Sequence, residues 1–195
     1  MVYFHAPVPM NNTIFFFPFQ YVDVKIQQAE EDRSFRQPPS SNTLKSSAHL
    51  ILNPTVDLAA EGSTSKTMKH WLYNDAAAHL FNVAFIPSTG HIRIKHTGKY
   101  FLYTRASVLF KASNDPPLIH SVHKKSASSA LRELLRAVRI NRWSSALRYD
   151  VQTSFLSGTF DLRENDEVYV SLNNIARLYF SERNYRSTNF GLFMI

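Results

Sequence analysis

The sequence predicts an all-β fold, a sandwich or jelly roll, and three features point there. Short apolar runs recur from Ala48 to the C-terminus, separated by turn-forming residues. Many of these runs alternate with the two-residue period of a pleated strand. One segment alone carries a helical period, so helices contribute little.

The predicted strands follow in order. Ala48 to Leu52, Phe81 to Ile86, His91 to Lys95, Lys99 to Phe110 and Leu118 to Val122 come first. Ser154 to Phe160, Val168 to Leu172 and Asn189 to Ile195 complete the set. Ile92 and Ile94, or Val168, Val170 and Leu172, show the alternation. Asn53-Pro54, Ser88-Thr89-Gly90, Thr97-Gly98, Asn114-Asp115-Pro116 and Glu164-Asn165-Asp166 read as turns. Within the last of these, Asn165 suits a left-handed backbone, which Asn tolerates better than most residues. The dissenting segment is Leu131 to Ile140. Leu131, Leu134, Leu135 and Val138 fall at i, i+3, i+4 and i+7, the stripe of an amphipathic helix.

The first 45 residues read as an arm with a linker, and residues 46–195 as the domain. Met1 to Val22 holds no Asp, Glu, Lys or Arg, and Thr13 to Val22 is strongly apolar. Ten residues are too few to span a bilayer, and Pro18 interrupts them. Gln37 to Asn42 (QPPSSN) is a linker by composition. The 22 Lys and Arg against 15 Asp and Glu give a net charge of +7, which favours acidic partners. Aromatics at 13% exclude a disordered chain. With no Cys there is no disulfide framework, thiolate metal site or Cys nucleophile.

Two strands carry apolar residues on both faces. On Lys99 to Phe110, Tyr100, Leu102, Thr104, Ala106, Val108 and Phe110 suit a core. The opposite face still carries Phe101, Tyr103 and Leu109. On the last strand Phe190, Leu192 and Met194 oppose Phe193 and Ile195, and Phe155 points away from Leu156 and Phe160. Such strands lie either inside a larger monomeric core or at a subunit interface.

These residues resemble a known family. Ser47-Ala48-His49-Leu50-Ile51-Leu52-Asn53-Pro54 resembles the opening strand of the tumour necrosis factor superfamily, and Trp71 follows where that family places its tryptophan. His91 to Phe110 resembles its hairpin and long third strand, with Gly98-Lys99-Tyr100 at the glycine turn. Ser154 to Asp166 resembles its strand–turn block, with Asn165 where Gly is usual. Leu178 to Glu182 resembles the loop before the last strand, and Phe190-Gly191-Leu192-Phe193 the family's ending. The matches run in order over about 150 residues.

The resemblance implies a ten-stranded jelly roll assembled as a homotrimer. It implies an extracellular cytokine, secreted or shed from a type II membrane protein whose anchor lies outside these residues. Its partners would be cysteine-rich receptors of the tumour necrosis factor receptor type, bound in grooves between subunits. The implied trimer interface takes Phe101, Tyr103, Phe155, Asn189, Phe193 and Ile195, with Asn189 where an aromatic is common. The implied receptor contacts are Arg177, Tyr179, Glu182 and Arg183, together with Lys124 and Lys125; the alternative is an ordinary solvated loop. The resemblance also turns Leu131 to Ile140 into a strand. A C1q-like trimeric recognition module for surface glycans and a basic capsid-type jelly-roll subunit stand as alternatives.

No catalytic constellation, cofactor motif or metal set is predicted. His120 and His123 stand three apart, which on a strand sends them to opposite faces. Phosphate loops, nucleophile elbows and zinc-protease motifs are absent from the sequence. Arg33-Ser34-Phe35-Arg36 fits a minimal basic processing signal, and Asn11-Asn12-Thr13 is the one glycosylation sequon. Lys124, Lys125, Arg132, Arg136, Arg139, Arg142 and Arg148 form a basic stretch. It reads either as a solvated face or as a patch for heparan sulfate or an acidic receptor. Nucleic acid is not an expected partner.

Overall fold

Two-residue alternation continues through strand after strand of this chain, and the fold is the packing of the apolar sides so produced. A computed structural model describes residues 45–58, 67–111, 114–126, 129–141, 150–179 and 185–195. Among them are eleven strands: β1 (Ser47–Leu52), β2 (Trp71–Leu72), β3 (His79–Phe81), β4 (Val83–Ile86), β5 (His91–Ile94) and β6 (Gly98–Phe110). β7 (Leu118–Ser126), β8 (Ser129–Arg139), β9 (Asp150–Leu162), β10 (Glu167–Leu172) and β11 (Asn189–Met194) follow. The first sheet runs β2-β1-β11-β6-β9, with β3 also on β1; the second runs β4-β5-β10-β7-β8. All strand pairs are antiparallel. The chain passes repeatedly from one sheet to the other, as in a jelly roll.

Eleven strands replace the ten expected, and the reason is local. β2 and β3 both pair along β1, at Ile51–Leu52 and Ser47–His49 respectively, so they form one interrupted edge. The strand predicted over Phe81 to Ile86 is likewise broken at Asn82, whose φ of 53° is left-handed. That residue passes the chain from β3 in the first sheet to β4 in the second. Asn165, at φ 65°, takes the left-handed position expected of it in the β9–β10 turn.

The core closes between the sheets without help from their outer faces. From the first sheet come Leu50, Tyr100, Leu102, Ala106, Val108, Phe110, Phe190 and Leu192. The second contributes Ile92, Ile94, Leu118, Val122, Val168, Val170 and Leu172. Full burial of each large side chain contributes about 1.5–3 kcal/mol. Trp71 is buried against Phe190, with ring centroids 6.2 Å apart, and its indole N–H donates to the Met68 carbonyl at 2.8 Å. His120, Thr104 and Ser154 form a polar pin through this core, all fully buried. Thr104 donates to the Asn189 carbonyl at 2.9 Å, so its oxygen is free to accept from His120 Nε2, 3.4 Å away. The Nδ1 nitrogen, 3.0 Å from the Ser154 hydroxyl, is then the acceptor. One neutral tautomer satisfies the whole network.

Leu131 to Ile140 is not a helix: it lies in strand β8 and just beyond. Its helical spacing has a cause in the ladder. His123 pairs with Glu133 but Val122 with Leu135, so Leu134 is the extra residue of a β-bulge. In a regular strand Leu134 and Leu135 would point to opposite faces. The bulge resets the period, and both pack against the core.

Candidate interaction face

The two outer faces of the sandwich differ in kind. Over the second sheet, Arg93 donates to Glu167 at 2.7 Å, and His91 meets the same carboxylate at 2.8 Å. The Tyr169 ring stacks between those of His91 and His123, and His123 Nε2 lies 2.8 Å from the Ser171 hydroxyl. This is a polar, self-satisfied surface. Burial pushes the Glu167 carboxyl up, but His91 and Arg93 outweigh it and hold the group below the usual carboxylate range.

Over the first sheet the outer face is aromatic. Antiparallel register lays its side chains out in rows. One row runs Phe81, Ser47, Phe193, Phe101, Thr159 across β3, β1, β11, β6 and β9. The next runs His79, His49, Gly191, Tyr103, Ser157. In a third, Asn189 and Phe155 flank Arg105. The Phe101 and Phe193 rings sit 5.3 Å apart, and those of Phe101 and Tyr103 6.4 Å. Phe81 is 54% exposed, Phe155 55%, Phe193 43% and Ile195 62%. All six residues expected at a subunit interface therefore share one side of the first sheet. Phe81, His49, His79 and Gly191 join them. No local pattern could have placed Phe81 and His79 there, because β3 is a three-residue strand recognisable only by its pairing with β1.

The expected receptor residues are spread out. Arg177 is held within the fold: its guanidinium lies 4.2 Å over the Phe110 ring and donates to the carbonyls of Pro116 (2.6 Å) and Leu109 (3.5 Å). Burial lowers its pKa, against the pull of Asp115. Tyr179 is half-buried, and its amide donates to the Ser107 carbonyl at 2.8 Å. Glu182 and Arg183 lie outside the described residues, as do Arg33, Arg36, Asn11, Arg142 and Arg148. Lys124 is 3.1 Å from Asp166, whose carboxylate also accepts from Ser126, while Lys125 is exposed. Pro116 lies two residues before β7, and Lys124 lies about 20 Å along that strand from its first residue, Leu118, at strand rise. Among the described residues, Arg177 and Tyr179 are not gathered with Lys124 and Lys125 into one cluster.

His120 and His123 do point to opposite faces, one inside the pin and the other beside Ser171. Among the described residues no group of three or more His, Asp or Glu is placed to hold a metal ion. No helix among them is long and apolar enough to cross a membrane.

The amino-acid sequence that builds this sandwich is similar to those of known proteins. The family model described as the TNF (Tumour Necrosis Factor) family matches residues 69–195. The chain belongs to this family. Among curated relatives, the tumor necrosis factor ligand superfamily member 6 of Felis catus is 24% identical over 106 residues, 54% of this chain and 37% of that protein. The Homo sapiens member 6 is 23% identical over 159 residues, 81% of this chain and 52% of that protein. Member 10 of Mus musculus is 20% identical over 153 residues, 72% of this chain and 51% of that protein. The chain thus spans about half or less of the length of these relatives. At the family level the matches support a tumour necrosis factor-type cytokine ligand, not an enzyme, and favour neither the C1q-like nor the capsid-type alternative.

Proposed function

We propose that this tumour necrosis factor family ligand is an extracellular homotrimer that clusters receptors in the grooves between its subunits. The observation that carries the reading is the aromatic outer face of the first sheet. Phe101, Phe193, Phe81, Phe155 and Ile195 lie behind a core that is already complete. A contiguous apolar face of this kind on a free monomer would be an aggregation liability. A second apolar strip, with Leu131, Val138 and Ile140 exposed, follows the β8 edge. Two different patches on one subunit suit a head-to-tail contact, and such contacts close into a ring when the rotation allows. Three copies close it here, as the family relationship suggests.

Residues 1–45 serve as the arm that presents residues 46–195. Receptor contact falls to Tyr179 and the loop carrying Glu182 and Arg183, with Arg177 holding the loop's start against Phe110. Lys125, near the far end of β7, reaches an elongated receptor at a second point. The basic side chains Lys125, Arg132 and Arg136 are exposed and also suit heparan sulfate.

The test is light scattering on the purified chain and on Tyr103→Asp, with circular dichroism to show that both fold. The expected result is a trimer that falls apart in the variant, because assembly would bury three unpaired carboxylates. A monomeric parent at micromolar concentration, or a trimeric variant, overturns the assembly. Pull-down on a panel of cysteine-rich receptor ectodomains then tests receptor binding, and failure across the panel overturns it.

A further inference from the structure

The row containing Tyr103 holds three titratable rings in line, and the proposed assembly makes no use of their chemistry. The Tyr103 hydroxyl lies 2.7 Å from His49 Nδ1, with the two rings stacked at 5.8 Å and 25°. On its other side His49 stacks with His79, centroids 6.4 Å apart and planes inclined by 22°. His79 Nε2 is in turn 3.2 Å from the Ser47 hydroxyl. Gly191 makes this line possible. A Cβ there would stand 2.3 Å from Cζ and Oη of Tyr103, so the phenol crosses β11 only because that atom is missing.

The electrostatic surroundings of the line are one-sided. On β6, Lys99 and Arg105 share its face. On β11 its neighbours are Asn189 and Phe193, on β1 Ser47 and Ile51, and on β3 Phe81, none of them charged. β9 brings Ser157 and Thr159 opposite Tyr103 and Phe101, with its carboxylate, Asp161, set opposite Lys99. His79 is the titratable neighbour that acts on His49. No carboxylate among these residues lies in the row to neutralise an imidazolium.

We infer that the His49–His79 pair makes subunit association sensitive to acid: the neutral pair packs into the interface, and its protonation releases the subunits. The inference rests on the trimeric reading above. With His49 neutral, Tyr103 is satisfied by its Nδ1. In acid the pair gains positive charge on a surface that assembly removes from water, beside Lys99 and Arg105. An unpaired imidazolium is costly there and cheap on a free subunit, so protons and neighbouring subunits compete for the same face. Burial, and then the proximity of His79, already lower the His49 pKa in the single chain, which has the same sign. If dissociation takes up one proton per subunit, the trimer dissociation constant rises about a thousandfold for each pH unit. The concentration of half-assembly then rises about thirtyfold.

The experiment is sedimentation velocity of the full chain over a concentration series at pH 7.5 and 5.5. It is run on the parent, on His79→Gln and on the double variant His49→Gln, His79→Gln, with circular dichroism at each pH. Glutamine keeps a polar group at both positions and cannot take the proton. The parent is expected to be trimeric at pH 7.5, with half-assembly shifted upward by at least about tenfold at pH 5.5. His79→Gln is expected to shrink that shift and the double variant to abolish it. Should the double variant fail to fold, His79→Gln alone decides, since His79 is exposed. A parent that stays trimeric at pH 5.5, or an unchanged shift in the folded variants, overturns the acid release and leaves the trimer standing. A monomeric parent at pH 7.5 overturns the trimer, and the release with it.

Discussion

His120 should make the fold itself lose stability in acid, within a definable window. The imidazole is fully buried between the sheets, and its neutral tautomer donates to Thr104 and accepts from Ser154. Burial, and secondarily Arg139, lower its pKa from 6.5 to about 4. In the unfolded chain the ring is free to protonate near 6.5. Between those values the unfolded state binds more protons than the folded one, so stability falls as the pH drops. The loss begins near pH 6.5, accumulates to about 3 kcal/mol near pH 4, and then stops growing. The assay is urea unfolding followed by tryptophan fluorescence at pH 7.5 and 4.5, on the parent and on His120→Gln, at one protein concentration. Glutamine keeps one donor and one acceptor but does not titrate. His49 and His123, whose pKa values are also lowered, act equally in both proteins and cancel. The parent should lose about 2–3 kcal/mol more than the variant across this interval. Equal losses would show that His120 is not held neutral by the pin, and the argument from burial would fail.

Two further substitutions test other parts of the structure. Gly191→Ala drives a Cβ to 2.3 Å from the Tyr103 ring and 2.8 Å from the Ala48 carbonyl, which belongs to the β1 backbone and cannot swing away. It should cost about 1–3 kcal/mol in urea unfolding, and a neutral result would mean that β11 and β1 are not paired in this register. Asp166→Asn removes the charge that holds Lys124 and one of the two oxygens that accept separately from the Arg163 amide (2.9 Å) and Ser126. Burial pushes that carboxyl up, but these partners outweigh it and hold its pKa below the usual carboxylate value. Its stabilisation is therefore present above about pH 4 and is lost as the pH falls further, beyond the His120 window. The variant should unfold about 3 kcal/mol more easily at pH 7.

The sandwich was legible because period-two alternation survives in most strands, and the outward aromatics were legible as its surplus. Phe101 and Phe193 could be named before anything was known of their neighbours. They sit on the wrong side of strands whose other side, Tyr100 to Phe110 and Phe190 to Met194, already looks like a core. Non-local pairing was not legible. His79 meets His49 because β3 docks on β1 through only three pairs, in a register that no nearby residue announces. Leu131 to Ile140 shows the same limit differently. Its leucines follow a helical period, yet the β7 ladder opposite them, with one residue fewer, makes that period a bulged strand.

Arg177 shows why a residue type alone does not name a contact. Arginine in the loop before the last strand is an attractive receptor anchor, because its planar cation recurs at binding hot spots. The same planarity lets it lie over Phe110 while donating to Pro116 and Leu109, and so it links that loop to the β6–β7 connection. A guanidinium so engaged must give up these bonds before it can grip a partner, whereas Tyr179, two residues on, is anchored through its backbone amide and keeps its side chain partly in solvent. Geometry thus separates the two: Arg177 is tied to Phe110, Pro116 and Leu109, whereas the Tyr179 side chain stays partly exposed.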